Sequence, residues 1–254
     1  MAFSIETALQ LPPAAPRETG DIGTEAPCRA CPIRHAAVRG NIAEAELEKL
    51  FAAGTEVTLQ RGQTLFTEGD AAAYLYSISG GSMMVYKMTR DGRRQITGFL
   101  YDGDLLGLVN DGKYAYSAEA ISSCKLFAYP LSETEAFVQR YPQVERRLGR
   151  ITRQELVENQ EQMLLLGRKS ARERVASFLL KLLRQAKDRG KEAGAIHIPM
   201  TREMIGDYLG LTTETVSRVL SAFGREKIIS VDRSCSLAHV LDVPHLKNIA
   251  EGLS

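Results

Sequence analysis

Cysteine and histidine are scarce in this 254-residue sequence, at four each. So few cysteines, in a chain whose opening MAFSIETALQLPPAAPRETG lacks a basic segment followed by a long apolar one, speak against a secreted disulfide framework. No apolar run approaches the roughly 18 residues of a membrane span. The expectation is a soluble cytoplasmic protein with no membrane partner. Residues 55–130 contain no histidine, which withholds the most versatile metal ligand and general base from that whole stretch. No G-x-S-x-G, H-E-x-x-H or phosphate-loop motif occurs, and Glu68 and Glu119 alone make no catalytic site. The chain therefore reads as a non-enzyme. A surplus of either charge is missing too: the net charge is +1. Its distribution is uneven, however. From Lys169 onward 14 Lys/Arg face 10 Asp/Glu, against 18 and 21 before it, so a mildly basic C-terminal region follows a slightly acidic body.

What is present divides the chain into four segments. Residues 1–41 are rich in Pro, Ala, Thr and Glu and read as a flexible arm carrying Cys28-Arg-Ala-Cys31. Ile42, Leu47, Leu50 and Phe51 fall near one helical face, stopped by Gly54. From Gly62 to Pro130, short apolar stretches alternate with turn signals (RGQ, EGD, SGGS, RDGR, DGD) about every ten or eleven residues, and Asp91-Gly92 is a hairpin signal. Residues 42–140 thus predict a β-roll of jelly-roll type. Residues 141–168 predict one long helix on which Val144, Leu148, Ile151, Leu156, Asn159, Met163 and Leu166 recur mostly every three or four positions. A narrow stripe on so long a helix suits pairing with a second copy; packing on its own barrel is the alternative.

Residues 169–254 form the last segment. Val175, Phe178, Leu179, Leu182 and Leu183 mark an amphipathic helix, followed by TREMIGDYLGLTTETVSRVLSAF at 201–223. Thr201 can cap a short helix, Gly210 can make a left-handed turn, and Thr212 or Thr213 can cap a second helix, whose Val216, Val219, Leu220 and Phe223 face inward. That is a helix-turn-helix, and residues 228–241 read as a hairpin wing beside it. Thr213, Glu214, Ser217 and Arg218 lie on the outer face of the second helix. Arg can bond guanine bidentately, Glu can accept from cytosine N4, and Ser can reach a base edge or a phosphate. A carboxylate on a helix facing DNA is ill suited to phosphate, so Glu214 reads as a base reader; a solvated Glu214–Arg218 ion pair is the alternative. Arg202, Ser221, Arg225 and Lys227 are candidates for phosphate contacts.

β-Roll, pairing helix, helix-turn-helix and wing, in that order and with LGLTTETVSRVL, GQTLFTEGD and QITGFLYDGDLLG, resemble the CRP/FNR superfamily of transcription regulators, in its FNR/FixK-like branch. The resemblance covers roughly residues 42–245. It implies an α+β fold, a homodimer on a two-fold symmetric site on double-stranded DNA, contact with RNA polymerase, and reading of a TTGAT-type half-site by Glu214, Ser217 and Arg218. It implies a signal as well. Cyclic-AMP receptors carry a phosphate-binding Arg-Ser where this chain has GDLLGLVNDGKYAYSAEA, with Lys113, Tyr114 and Tyr116, so cyclic AMP is not expected. The FNR branch holds a [4Fe–4S] cluster on four cysteines. Cys28 and Cys31 match the first two; the third position falls on Arg39 or Ala37, and the fourth on Phe127, three residues after Cys124. With half the set present, the pair reads as a relic, as a metal or atypical cluster site with Cys124 or His35, or as a reversible disulfide. A response to oxygen, redox or nitric oxide status is expected; haem, nitric oxide through haem, or a small organic effector in the β-roll, and a FixK-like regulator controlled by abundance alone, stay open. So does a cupin-like metal enzyme, the reading from another functional class.

Overall fold

The computed structural model describes residues 42–107, 109–190, 194–232 and 237–253. Cys28, Cys31, His35 and Cys235 lie outside the described residues. The described residues form two compact units, one holding those of 42–87 with 98–149, the other those of 88–97 with 150–253. Among the described residues no helix is long and apolar enough to cross a membrane.

The first unit opens with α1 (Glu44–Ala52), whose Leu47 is buried. Ten short strands follow: β1 (Thr55–Leu59), β2 (Thr64–Phe66), β3 (Tyr74–Gly80), β4 (Ser82–Met88), β5 (Arg94–Tyr101), β6 (Leu105–Leu106), β7 (Val109–Asn110), β8 (Lys113–Tyr114), β9 (Ser117–Ala120) and β10 (Cys124–Pro130). They build antiparallel sheets in the orders β1-β10-β3-β6 and β2-β9-β4-β5, with β7-β8 as a separate ribbon. Alternation along β10 sets the layers. Leu126 and Ala128 point into the interior shared by Val57, Phe66, Tyr76, Ile78 and Met83, whereas Phe127 joins Leu47, Phe137 and Val144 on the helical side. Helix α2 (Leu131–Arg140) completes that side; Thr134 Oγ1 donates to the Pro130 carbonyl, 3.0 Å, at its start.

Helix α3 (Pro142–Arg168) is a single helix of 27 residues, and the boundary between the units falls within it, at Gly149/Arg150. Here the stripe read from the sequence needs correction. Val144 is 0 % exposed, inside the core of the first unit, and Leu148 packs partly against the same cluster. Leu166 lies over the turn at Gly210. What the helix leaves uncovered is Leu156 (58 % exposed), Val157, Met163 (65 %) and Leu164, with Asn159 exposed between them.

The second unit continues with α4 (Ala171–Asp188), started by a capping box in which Ser170 and Glu173 serve each other's backbone N–H. Its Val175, Ala176, Phe178, Leu179 and Leu182 are buried. Strand β11 (Ala195–His197) has no counterpart in the sequence reading. It joins β12 (Ile229–Asp232) and β13 (Leu237–Val240) in a three-stranded sheet ordered β11-β13-β12. Helices α5 (Arg202–Leu209), α6 (Thr213–Arg225) and α7 (Val243–Ala250) complete the unit. Residues 88–97, at the β4–β5 hairpin, group here rather than with the β-roll, contrary to the 42–140 boundary read from the sequence. There Arg94 donates to the Asp207 carboxylate and Gln95 to the Asp207 carbonyl, at the end of α5.

Candidate nucleic-acid interface

Two threonine caps and two glycines make the helix-turn-helix. Thr201 Oγ1 accepts from Met204 N, 3.1 Å, starting α5, and Thr212 Oγ1 accepts from Thr215 N, 3.3 Å, starting α6. Each such cap contributes about 0.5–2 kcal/mol. Thr212, not Thr213, is the cap, which leaves Thr213 as the first residue of α6 and exposed. Gly210 has φ 62° and ψ 44°, the left-handed conformation that ends α5.

Gly206 imposes the second constraint. A Cβ there would lie 2.5 Å from the Leu211 carbonyl oxygen, a backbone atom that cannot swing aside. Gly206→Ala gains roughly 1 kcal/mol of helix propensity but meets an overpacking penalty of about 1–3 kcal/mol. We expect net destabilisation, read as a lower midpoint in denaturant; a midpoint that rises would show that the turn opens at no cost.

Helix α6 buries Val216, Leu220 and Phe223. Thr213, Glu214 and Arg218 are exposed on the other side, with Ser217 half-buried beside them. Arg218 Nη2 donates to Thr215 Oγ1, 3.2 Å, one turn back, which aims the guanidinium along the exposed face. Glu214 turns toward the helix start. Its own backbone N–H holds the carboxyl below the usual range, followed by the Thr212 hydroxyl, with the Arg218 charge contributing least. The group is therefore ionised, and acts purely as an acceptor, throughout the neutral range. Its main partners lie at the helix N-terminus rather than on Arg218, unlike the ion pair considered from the sequence. Arg202 is half-buried at the start of α5, while Ser221, Arg225 and Lys227 are exposed at the far end of α6. Together these residues can present an acceptor, a hydroxyl and a bidentate donor to base edges, flanked by cations.

The support for α6 was not legible in the sequence. Arg172 of α4 lies 4.9 Å over the Phe223 ring and makes a two-point ion pair with Glu226, Nη1 to Oε1 at 3.0 Å and Nη2 to Oε2. The partners are 54 residues apart, and no local pattern links them.

In the first unit, Cys124 occupies the inward face of β10, 1 % exposed among Leu126 and Ala128. Its Sγ donates to the Ser82 carbonyl at 3.1 Å, and burial pushes the thiol's ionisation up. Phe127 faces the opposite, helical side. A four-cysteine cluster does not fit these residues: the strand offers Phe at the ligand position and turns its one thiol into the core. That placement also argues against Cys124 as a partner for Cys28 and Cys31.

Aromatic rings pack against one another within the interior of the roll. Phe66 stacks on Tyr114 at 3.8 Å between ring centroids and lies 5.7 Å from Tyr76. The Tyr114 hydroxyl donates to Tyr74 O at 2.9 Å and accepts from Tyr74 N at 3.2 Å. The Tyr116 hydroxyl accepts from Gly107 N at 3.1 Å. Two tyrosines of the segment in which cyclic-AMP receptors carry their phosphate-binding Arg-Ser are thus spent on the protein's own backbone.

Residues 56–141 match the cyclic nucleotide-binding domain family and residues 173–249 the Crp-like helix-turn-helix domain family. The nitrogen fixation regulation protein FixK of Bradyrhizobium diazoefficiens is 37 % identical over 204 residues, covering 80 % of this chain and 86 % of that protein. The fumarate and nitrate reduction regulatory protein of Salmonella typhimurium is 33 % identical over 233 residues, covering 88 % and 92 %. The solved structure of FixK2 from Bradyrhizobium japonicum superposes with a TM-score of 0.71 at 37 % identity, over 77 % of this chain and 96 % of that one. These relatives are regulators and not enzymes, which removes the cupin-like reading. With its cyclic nucleotide-binding-type β-roll and its helix-turn-helix, the chain belongs to the CRP/FNR superfamily of DNA-binding transcription regulators, in the FixK-like branch.

Proposed function

We propose that the protein acts in the cytoplasm as a homodimer on a TTGAT-type palindrome and regulates transcription with RNA polymerase. The observation that carries this reading is the exposed face of α6, where Glu214, Ser217 and Arg218 stand together on a helix whose other side is locked into the unit. Arg218 reads guanine, Glu214 accepts from cytosine N4, and Ser217 reaches a base edge or phosphate. The two recognition helices of a dimer enter successive major grooves about one DNA turn apart. Leu156, Val157, Met163 and Leu164 supply an apolar face for the second copy.

The test is a mobility-shift titration of wild type and Glu214→Gln against the palindrome and single-base variants of it. Wild type discriminates by about 1–3 kcal/mol per changed base pair. Glu214→Gln loses that discrimination at one position and keeps it elsewhere. Equal affinity of wild type for palindrome and random duplex would end this reading.

For the signal, we favour oxygen or redox status acting through Cys28 and Cys31, two thiols at a spacing suited to a reversible disulfide. A second reading is supported by the aromatic packing within the β-roll: the regulator needs no effector and follows its own abundance. Thiol counting and DNA titration on protein purified without oxygen, before and after mild oxidation, separate them. Affinity that changes as two thiols are lost supports the switch, and affinity that stays constant supports abundance control.

A further inference from the structure

Helix α5 ends on four successive carbonyls, Asp207, Tyr208, Leu209 and Gly210, and side chains from three other segments of the second unit reach all four. The Gln95 amide Nε2 donates to Asp207 O at 2.7 Å and to Tyr208 O at 3.3 Å. The Gln162 Nε2, on α3, donates to the same Tyr208 O at 3.0 Å. Arg174, on α4, gives Nη1 to Leu209 O at 2.9 Å and Gly210 O at 3.3 Å. Its other nitrogens do not go to α5. Nη2 donates to Leu166 O at 2.9 Å and Nε to Lys169 O at 2.8 Å, both at the end of α3. Beside these contacts, Arg94 Nε pairs with the Asp207 carboxylate at 2.9 Å, and the Lys181 ammonium sits 5.9 Å from the Tyr208 ring centre.

A helix C-terminus carries orphan carbonyls and a partial negative charge, so some donors are expected there. Solvent water or a basic side chain of the last turn commonly serves such carbonyls. Here Gln95, Gln162 and Arg174 come from a hairpin, from α3 and from α4, and each of these three donates to backbone carbonyls. Hydrogen bonds weaken steeply once the donor angle falls below about 120°. Three donors on three separate elements therefore set the tilt and rotation of α5, not only its solvation. Gly210 and Thr212 follow directly, so the orientation of α5 is passed to α6 through one tight turn. Gln162 is also the neighbour of Met163, on the uncovered face of α3.

We infer that Gln95, Gln162 and Arg174 are positioning residues for DNA reading, a carbonyl clamp that locks the angle of the helix-turn-helix to α3. The inference rests on the dimeric DNA-binding reading above. It separates two roles: α6 chooses bases, and the clamp sets how far apart and at what tilt two copies of α6 present them. Loosening the clamp leaves each half-site contact intact and widens the range of half-site spacings that the dimer accepts.

The experiment uses full-length protein and two fluorescent duplexes, the palindrome and the same palindrome lengthened by one central base pair. The ratio of the two affinities is the readout. The variant is Gln95→Glu with Gln162→Glu, near-isosteric changes that replace donors with carboxylate oxygens facing carbonyls. Wild type strongly prefers the natural spacing. In the variant the preference falls by about tenfold, because the natural spacing is bound less tightly while the lengthened site is bound as well as before or better. Gln162→Ala moves the ratio in the same direction and carries the test if the double variant melts below assay temperature. A merely structural role lowers both affinities together and keeps the ratio, which overturns the inference; so do unchanged affinities for both. A wild type that does not distinguish the palindrome from random duplex is a different failure, that of the DNA-binding reading, visible before any variant is made.

Discussion

Arg218→Ala weakens binding to the palindrome by about 1–3 kcal/mol per half-site, roughly five- to 150-fold for each half-site, and the loss is confined to sites that keep the guanine. The geometry explains the direction. Arg218 is exposed, its guanidinium is steadied by Thr215 Oγ1, and it has no share in burying α6, so its removal leaves the fold intact. Fluorescence anisotropy on the palindrome, on one with that guanine replaced, and on random duplex checks it. Loss on the first duplex alone confirms base reading, because the other two already lack the contact. Equal loss on all three would make Arg218 a phosphate contact, and the salt dependence would drop by about one ion per half-site.

The larger effect belongs to the uncovered face of α3. Leu156→Glu combined with Met163→Glu yields a monomer that no longer holds the palindrome. Each side chain buried at an interface contributes about 1.5–3 kcal/mol, and a two-fold interface uses both of them twice. The sum exceeds the roughly 4 kcal/mol that a thousandfold rise in dissociation constant requires, before the cost of burying carboxylates is added. Sedimentation velocity gives the oligomeric state and anisotropy the DNA affinity. A variant that still sediments as a dimer would move the interface elsewhere. By contrast Val144, which belongs to the stripe read from the sequence, is a core residue of the first unit. Val144→Glu would unfold that unit rather than dissociate a dimer.

That contrast between Val144 and Met163 shows how far the sequence carries. Both sit on the same helical period, and periodicity reports only that a face is apolar, not what covers it. The first two turns of α3 are covered by Leu47 and Phe137, residues nearly a hundred positions and seven positions away respectively. No local signal separates that half of the stripe from the uncovered half. The same holds for Cys124. A separation of three residues on a strand puts Cys124 and Phe127 on opposite faces, but only the packing of β10 between β1 and β3 shows that the thiol's side is the closed interior.

Local chemistry carried the rest. Caps at Thr201 and Thr212, the left-handed Gly210 and the buried spacing of Val216, Leu220 and Phe223 specify two helices and a tight turn from neighbours within a few residues. The same spacing left Glu214, Ser217 and Arg218 on one face. The sequence by itself thus determined the order of elements, the helix-turn-helix and the chemistry displayed on its outer helix, because these depend on short-range periodicity and capping. Only the tertiary structure decided which stretch of the long helix is free to meet a second copy, where β11 joins the wing, and that Gln95, Gln162 and Arg174 converge on one helix end. Those outcomes depend chiefly on contacts between residues from 35 to more than 110 positions apart, for which sequence spacing holds no record.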